Sequence, residues 1–217
     1  KVDGYPKKIV VDYELIQLSE PRYNLAGYGD LLYLQTTLND WKIAYRHGNK
    51  EQVDEELQKQ IVNIIDLVTE RAEEIGAMTE TGIQLLMENI RLSSELSIKN
   101  PTMPISAGSE HLFAWNLELL TGKHYVHGEI VALGTVISSY LQQFYLSDSR
   151  FQLLRSAFEQ AHVIYKPDEL GISWEELEET LLTVEKYNKR VRHFHTVFEY
   201  IEWTPKLLAQ LREYLYT

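Results

Sequence analysis

The stretch SAGSEHLFAWNLELLTGKHYVHGEIVALGTVISSYL, residues 106–141, decides how this chain is read. It holds two histidines, His111 and His127, each opening an apolar, helix-like run and each beside or near a carboxylate, Glu110 and Glu129. Metal-ligating imidazoles are commonly paired with a carboxylate in this way. From His127 to about Tyr145 the residues are apolar almost all round, which predicts a central helix. Far upstream, in LAGYGDLL (25–32), Asp30 follows Gly27 and Gly29 at the expected start of another helix. One Asp and two His would supply three donors and leave a coordination position open, the arrangement of a catalytic zinc site. Spacing alone leaves other roles open. Asp30 also fits a helix N-cap, and either histidine fits a hydrogen-bonded core position.

Composition narrows the class. With 217 residues, 44% of them hydrophobic, the chain can bury a large core. The absence of cysteine excludes disulfides, Cys-type zinc sites and thiol nucleophiles, and the expected compartment is the cytoplasm. A net charge of −11 works against general nucleic-acid or anionic-membrane binding, which needs Lys and Arg against phosphate. The longest apolar run, around 130–137, is far short of the roughly 20 residues that span a bilayer.

Taken in order, Ile9 to Val11 is expected to form a short strand with no partner nearby. Glu20-Pro21 is expected to break the chain, and Gly27 and Gly29 to turn it into a helix from about Asp30 to Tyr45, buried along Leu31, Leu34, Leu38, Trp41 and Tyr45. Further helices are expected over about 51–75, 79–99, 109–120, 127–145, 150–161, 173–189 and 204–216. Ser173 with Glu176 forms a capping box, and Pro205 starts the last helix. The expected fold class is all-α, a multi-helix domain of about eight helices with one short N-terminal strand.

Two weaker candidates lie outside the triad. His124, three residues before His127, either reaches the same cleft or is an exposed loop histidine. Lys189, Arg190 and Arg192 form the densest positive patch, with Arg192 a candidate for holding a phosphate and helix C-terminal cations the plainer explanation. His47 is accounted for at a helix C-terminus, and His162, His193 and His195 have no paired carboxylate at ligand spacing.

GYGDLL followed by LNDWKIA, then SAGSEH, then YVHGEIVALGT, resembles the C-terminal helical domain of the glycerol dehydrogenase and dehydroquinate synthase-like superfamily, and most closely its glycerol-1-phosphate dehydrogenase branch. The resemblance implies that Asp30, His111 and His127 are the metal ligands. It implies zinc or nickel as the ion, NAD or NADP as cofactor of the full-length parent, a small phosphorylated polyol as substrate and a homo-oligomeric assembly. No catalytic residue beyond the ligands is implied. Synthase members carry a glutamate where Asp30 stands, and four-ligand iron alcohol dehydrogenases a histidine where Leu34 stands, so both branches fit less well. The family's Rossmann-like half is not found here, since the sequence has no glycine-rich phosphate loop. Residues 1–15 are therefore expected to be the remnant of a missing N-terminal dinucleotide-binding domain, and 16–217 the helical metal-binding domain, inactive alone. The family's PASG-like run is replaced by residues 104–108, PISAG. The alternatives are a sugar-phosphate cyclase of the dehydroquinate synthase type and a non-catalytic helical scaffold, which would have no need of three ligands.

Overall fold

The computed structural model describes residues 8–49, 54–100 and 105–217. Among them the chain forms α1 (Tyr13–Leu18), α2 (Pro21–Leu31), α3 (Tyr33–Arg46), α4 (Glu55–Glu70), α5 (Ala72–Gly76), α6 (Glu80–Lys99), α7 (Ser109–Thr121), α8 (His127–Gln142), α9 (Phe151–Gln160), α10 (Trp174–Val191), a 3-10 turn at Val197–Glu199, and α11 (Pro205–Tyr216). The all-α expectation holds.

Five of these helices begin at a side chain that accepts a backbone N–H left unpaired by the first turn. Asp12, Asp54, Thr79, Ser173 and Thr204 accept from the residue three further on, and Ser173 with Glu176 completes the capping box.

Three expectations fail near the N-terminus. No strand exists among the described residues: Ile9 to Val11 run irregularly into the Asp12 cap, with no neighbouring strand to pair their backbone. The break expected at Glu20-Pro21 is present, with Ser19 and Glu20 extended between α1 and α2, but Pro21 already occupies the first position of α2, where a missing N–H costs nothing. Gly27 and Gly29 accordingly lie inside α2 rather than turning into a helix, and Asp30 sits in the last turn of α2. The expected Asp30–Tyr45 helix is thus α3, entered at Tyr33 after a junction at Leu32, and Tyr45 is exposed rather than part of the buried stripe. The expected 51–75 helix is divided at Arg71 into α4 and α5, its first three residues lying outside the described part, as does Pro104 of the PISAG run.

The prediction of a central helix is correct. Ile130, Val131, Leu133, Val136, Ile137 and Leu141 of α8 are all fully buried, and α8 packs against α2, α3, α7 and α9. Among the described residues, no helix is long and apolar enough to cross a membrane.

Candidate metal centre

Two close backbone approaches along α8 bring the candidate ligands together. A Cβ added at Gly128 would lie 1.8 Å from the Ala26 carbonyl oxygen, and one added at Gly29 would lie 2.6 Å from that of Gly128, so α2 and α8 cross with nothing between their main chains. Six residues along α8, a Cβ at Gly134 would lie 2.5 Å from the Glu110 carbonyl oxygen, and there α7 crosses. The first contact sets Asp30 of α2 beside His127, the first residue of α8. The second sets His111, in the first turn of α7, beside the same end. Arg22 reinforces the α2–α8 crossing by donating from Nε and Nη2 to the two oxygens of buried Glu129, at 2.5 and 2.8 Å.

The result is a cluster in which one donor atom each from Asp30, His111 and His127 lies within 4.8 Å of the others. Asp30 Oδ1 is 3.5 Å from His111 Nε2 and 3.9 Å from His127 Nε2. Both distances are too long for good hydrogen bonds. They are close to the roughly 3.4 Å that separates donors around a tetrahedral ion with bonds of about 2.1 Å. Asp30 Oδ1 is also buried with no hydrogen-bond partner. A buried carboxylate oxygen without a partner is costly, and a cation between it and the two imidazole nitrogens removes the cost. The residues therefore fit a divalent metal. His111 is 7% exposed in its side chain, Asp30 40% and His127 51%, so the cluster is walled on one side and open to an incoming ligand on the other.

The wall is built around His111. Its Nδ1 lies 2.8 Å from Glu110 Oε1, Tyr33 meets its ring edge-to-face at 5.1 Å, and Trp115, one turn on, lies 5.4 Å away. Burial disfavours protonating His111, but the carboxylates of Asp30 and Glu110 outweigh it and raise the imidazole to about 9. A second buried acid, Asp40, ties the surrounding loops: Ser109 N, Val197 N and Gln142 Nε2 all donate to it. Burial, with repulsion from Glu110, raises Asp40 to about 7.

Glu110 and Glu129 do not play equal parts. Glu110 faces its histidine as the sequence suggests, whereas Glu129 is taken by Arg22. All three candidate ligands were expected at helix entrances, but Asp30 stands at a helix end. Arg192 follows the end of α10, as a helix C-terminal cation would, yet its guanidinium carbon lies 3.9 Å from the centre of the Trp115 ring, one ring away from His111. His124 is 96% exposed in its side chain, 3.8 Å from Glu118. His47 bonds through Nδ1 to the Ile43 carbonyl and stacks on Tyr200. His195, expected to have no carboxylate partner, is paired one helical turn on with Glu199, 3.2 Å from its Nδ1. Arg22, Trp115 and Asp40 escape the sequence reading. Only Trp115, four residues after His111 and hence on the same helical face, left a signal there.

No protein-family model matches the chain. Relatives named glycerol-1-phosphate dehydrogenase (NAD(P)+) do match. The protein from Aeropyrum pernix is 31% identical over 177 residues, 81% of this chain and 48% of the relative. That from Archaeoglobus fulgidus is 27% identical over 85% of this chain and 52% of the relative. That from Hyperthermus butylicus is 35% identical over 63% and 39%. The all-helical fold, the Asp-His-His cluster and this homology together define the chain as a member of the glycerol dehydrogenase and dehydroquinate synthase-like superfamily. Within it, the three relatives just described are glycerol-1-phosphate dehydrogenases. The chain spans about half the length of the first two of these relatives, 48% and 52%.

Proposed function

We propose that this chain is the metal-holding C-terminal helical domain of an NAD(P)-dependent polyol-phosphate oxidoreductase of the glycerol-1-phosphate dehydrogenase type. The observation that carries the proposal is the convergence of Asp30, His111 and His127 around an Asp30 oxygen that has no partner. A divalent ion held there, zinc or nickel, supplies Lewis acidity to a substrate hydroxyl when bound. Asp30 and the two imidazoles would hold that ion, and the Tyr33 and Trp115 rings keep water from the buried side of His111. Arg192, steadied on Trp115, takes the substrate phosphate, since a guanidinium matches phosphate oxygens with paired donors. His124, on the loop leading into His127, is the second candidate contact. The nicotinamide cofactor is held by a dinucleotide-binding domain outside this chain. What supports that division is the chain's span of about half of its relatives and the want of a glycine-rich phosphate loop in its sequence.

Metal analysis of the chain and activity assays of the full-length protein test the proposal. The expected results are one zinc or nickel per chain, lost in Asp30→Ala, and turnover of a triose phosphate with NAD(P)H by the full-length protein but not by this chain alone. Absence of stoichiometric metal would favour a helical scaffold. Turnover of a heptulose phosphate instead would move the protein to the cyclase branch.

A further inference from the structure

Glu110 is an acid that touches neither solvent nor the proposed ion, yet it is the most fully engaged carboxylate near the site. It is completely buried in the first turn of α7. Gly108 N donates to its Oε1 at 2.6 Å, Thr37 Oγ1 donates to the same oxygen at 3.3 Å, and Thr36 Oγ1 lies 2.7 Å from Oε2. The remaining partner is His111 Nδ1, 2.8 Å from Oε1. Its oxygens are thus anchored from two directions, by the loop entering α7 and by α3. An ionised carboxylate can only accept, so the ring nitrogen facing it must carry the hydrogen. When the ring gives up its second proton, the lone pair is therefore on Nε2, the nitrogen that points at Asp30 Oδ1. His127 has no matching device, because Glu129, two residues on, is held by Arg22.

We infer that Glu110 is a positioning residue for the metal: by holding the hydrogen on Nδ1 it fixes the ring angle of His111 and makes Nε2 the nitrogen that exchanges its proton for the ion, and it adds a buried negative charge behind the cation. The inference rests on the metal reading above. Partners of this kind, hydrogen-bonded to a ligating histidine, typically change metal affinity about 10- to 100-fold when removed. His111 is thereby the fixed ligand and exposed His127 the adjustable one.

Glu110→Gln tests this, because the amide keeps the size and one acceptor oxygen of the acid while losing the charge. Cobalt(II) and zinc affinities of the 217-residue chain, measured by calorimetry and visible absorption, are expected to fall at least tenfold in this variant. Thr36→Val is the control for a structural role. It removes the hydroxyl next to Oε2, lowers the melting temperature, and leaves the affinity within about threefold. If Glu110→Gln does not fold, the zinc-loaded unaltered chain still decides the matter by proton NMR. A slowly exchanging ring proton on His111 Nδ1 is expected, and finding the ring proton on Nε2, or none protected on Nδ1, would overturn the assignment. Unchanged affinity in a folded Glu110→Gln variant would overturn it as well. If the unaltered chain binds neither cobalt nor zinc, it is the metal reading that fails, and the inference falls with it.

Discussion

Gly128 of α8 and Ala26 of α2 meet backbone to backbone, so closely that a Cβ added to the glycine would stand 1.8 Å from the alanine carbonyl oxygen. Gly128→Ala must therefore push the two helices apart. The expected cost is roughly 2–3 kcal/mol or more, since overpacking a crossing without voids forces backbone shifts. Urea denaturation of the metal-free chain reads the cost. Zinc affinity should fall as well, because Asp30 and His127 sit on the two helices being separated. Unchanged affinity in a folded variant would mean that this crossing does not set the ligand geometry.

The Arg22–Glu129 pair spans the same crossing. Arg22→Ala leaves a buried carboxylate facing nothing, which is destabilising, but the arginine end is 43% exposed in its side chain and water tempers the loss. A cost of about 1–2 kcal/mol is expected in denaturant titration. Arg22→Lys should recover only part of it, because an ammonium cannot reach both oxygens as the guanidinium does.

If Asp30 is a metal ligand as proposed, it links metal binding to stability. Zinc at a hundredfold excess over its Kd should stabilise the chain by about 2.7 kcal/mol, or a rise in Tm of roughly 5–10 °C for a domain of this size. Asp30→Ala should abolish this rise while leaving the metal-free stability within about 1 kcal/mol, because the side chain is 40% exposed and its Oδ1 makes no hydrogen bond to lose. Differential scanning calorimetry with and without zinc compares the two proteins directly.

Asp40 predicts a pH dependence of stability. Its carboxyl is raised to about 7 in the fold from an ordinary value of 3.8, so the folded state holds a proton that the unfolded chain has released. Its effect on stability is therefore absent below about pH 4, grows as a loss between about pH 4 and 7, and is complete above. The loss is on the order of 4 kcal/mol at its limit. Asp40→Asn should flatten the slope between pH 5 and 7, at a cost of about 1–2 kcal/mol at low pH, because its amide nitrogen would face Ser109 N. Urea midpoints at several pH values measure both. His111, raised to about 9 from 6.5, contributes a separate fall between about pH 6.5 and 9.

Arg192 should separate substrate binding from chemistry. In the full-length protein, Arg192→Ala is expected to raise KM for a phosphorylated substrate about 10- to 100-fold, the scale of a charge-assisted hydrogen bond, with a smaller change in kcat. An unphosphorylated polyol should be affected much less. Equal losses for the two substrates would show that Arg192 acts through the Trp115 stack rather than on phosphate.

Much of the molecule is local chemistry and could be read without coordinates. Thr79, Ser173 and Thr204 announce helix starts because a capping oxygen acts on an N–H two or three residues away, and the apolar girth of residues 130–141 announces a central helix. The identity of the three candidate ligands is also written in the sequence, through GYGD, GSEH and HGE. What the sequence could not decide is how far apart they stand, nor that Asp30 belongs to the end of one helix rather than the start of the next. Proline at a first helical position and proline as a breaker look alike until the following residues are seen to pack. Only the tertiary structure settles that Gly29, Gly128 and Gly134 are contact points between main chains, that Glu129 serves Arg22 while Glu110 serves His111, and that Arg192 rests on Trp115. Those relationships join residues as many as 107 positions apart, and a hydrogen bond or a close backbone contact between such distant positions leaves no period in the sequence by which to find it.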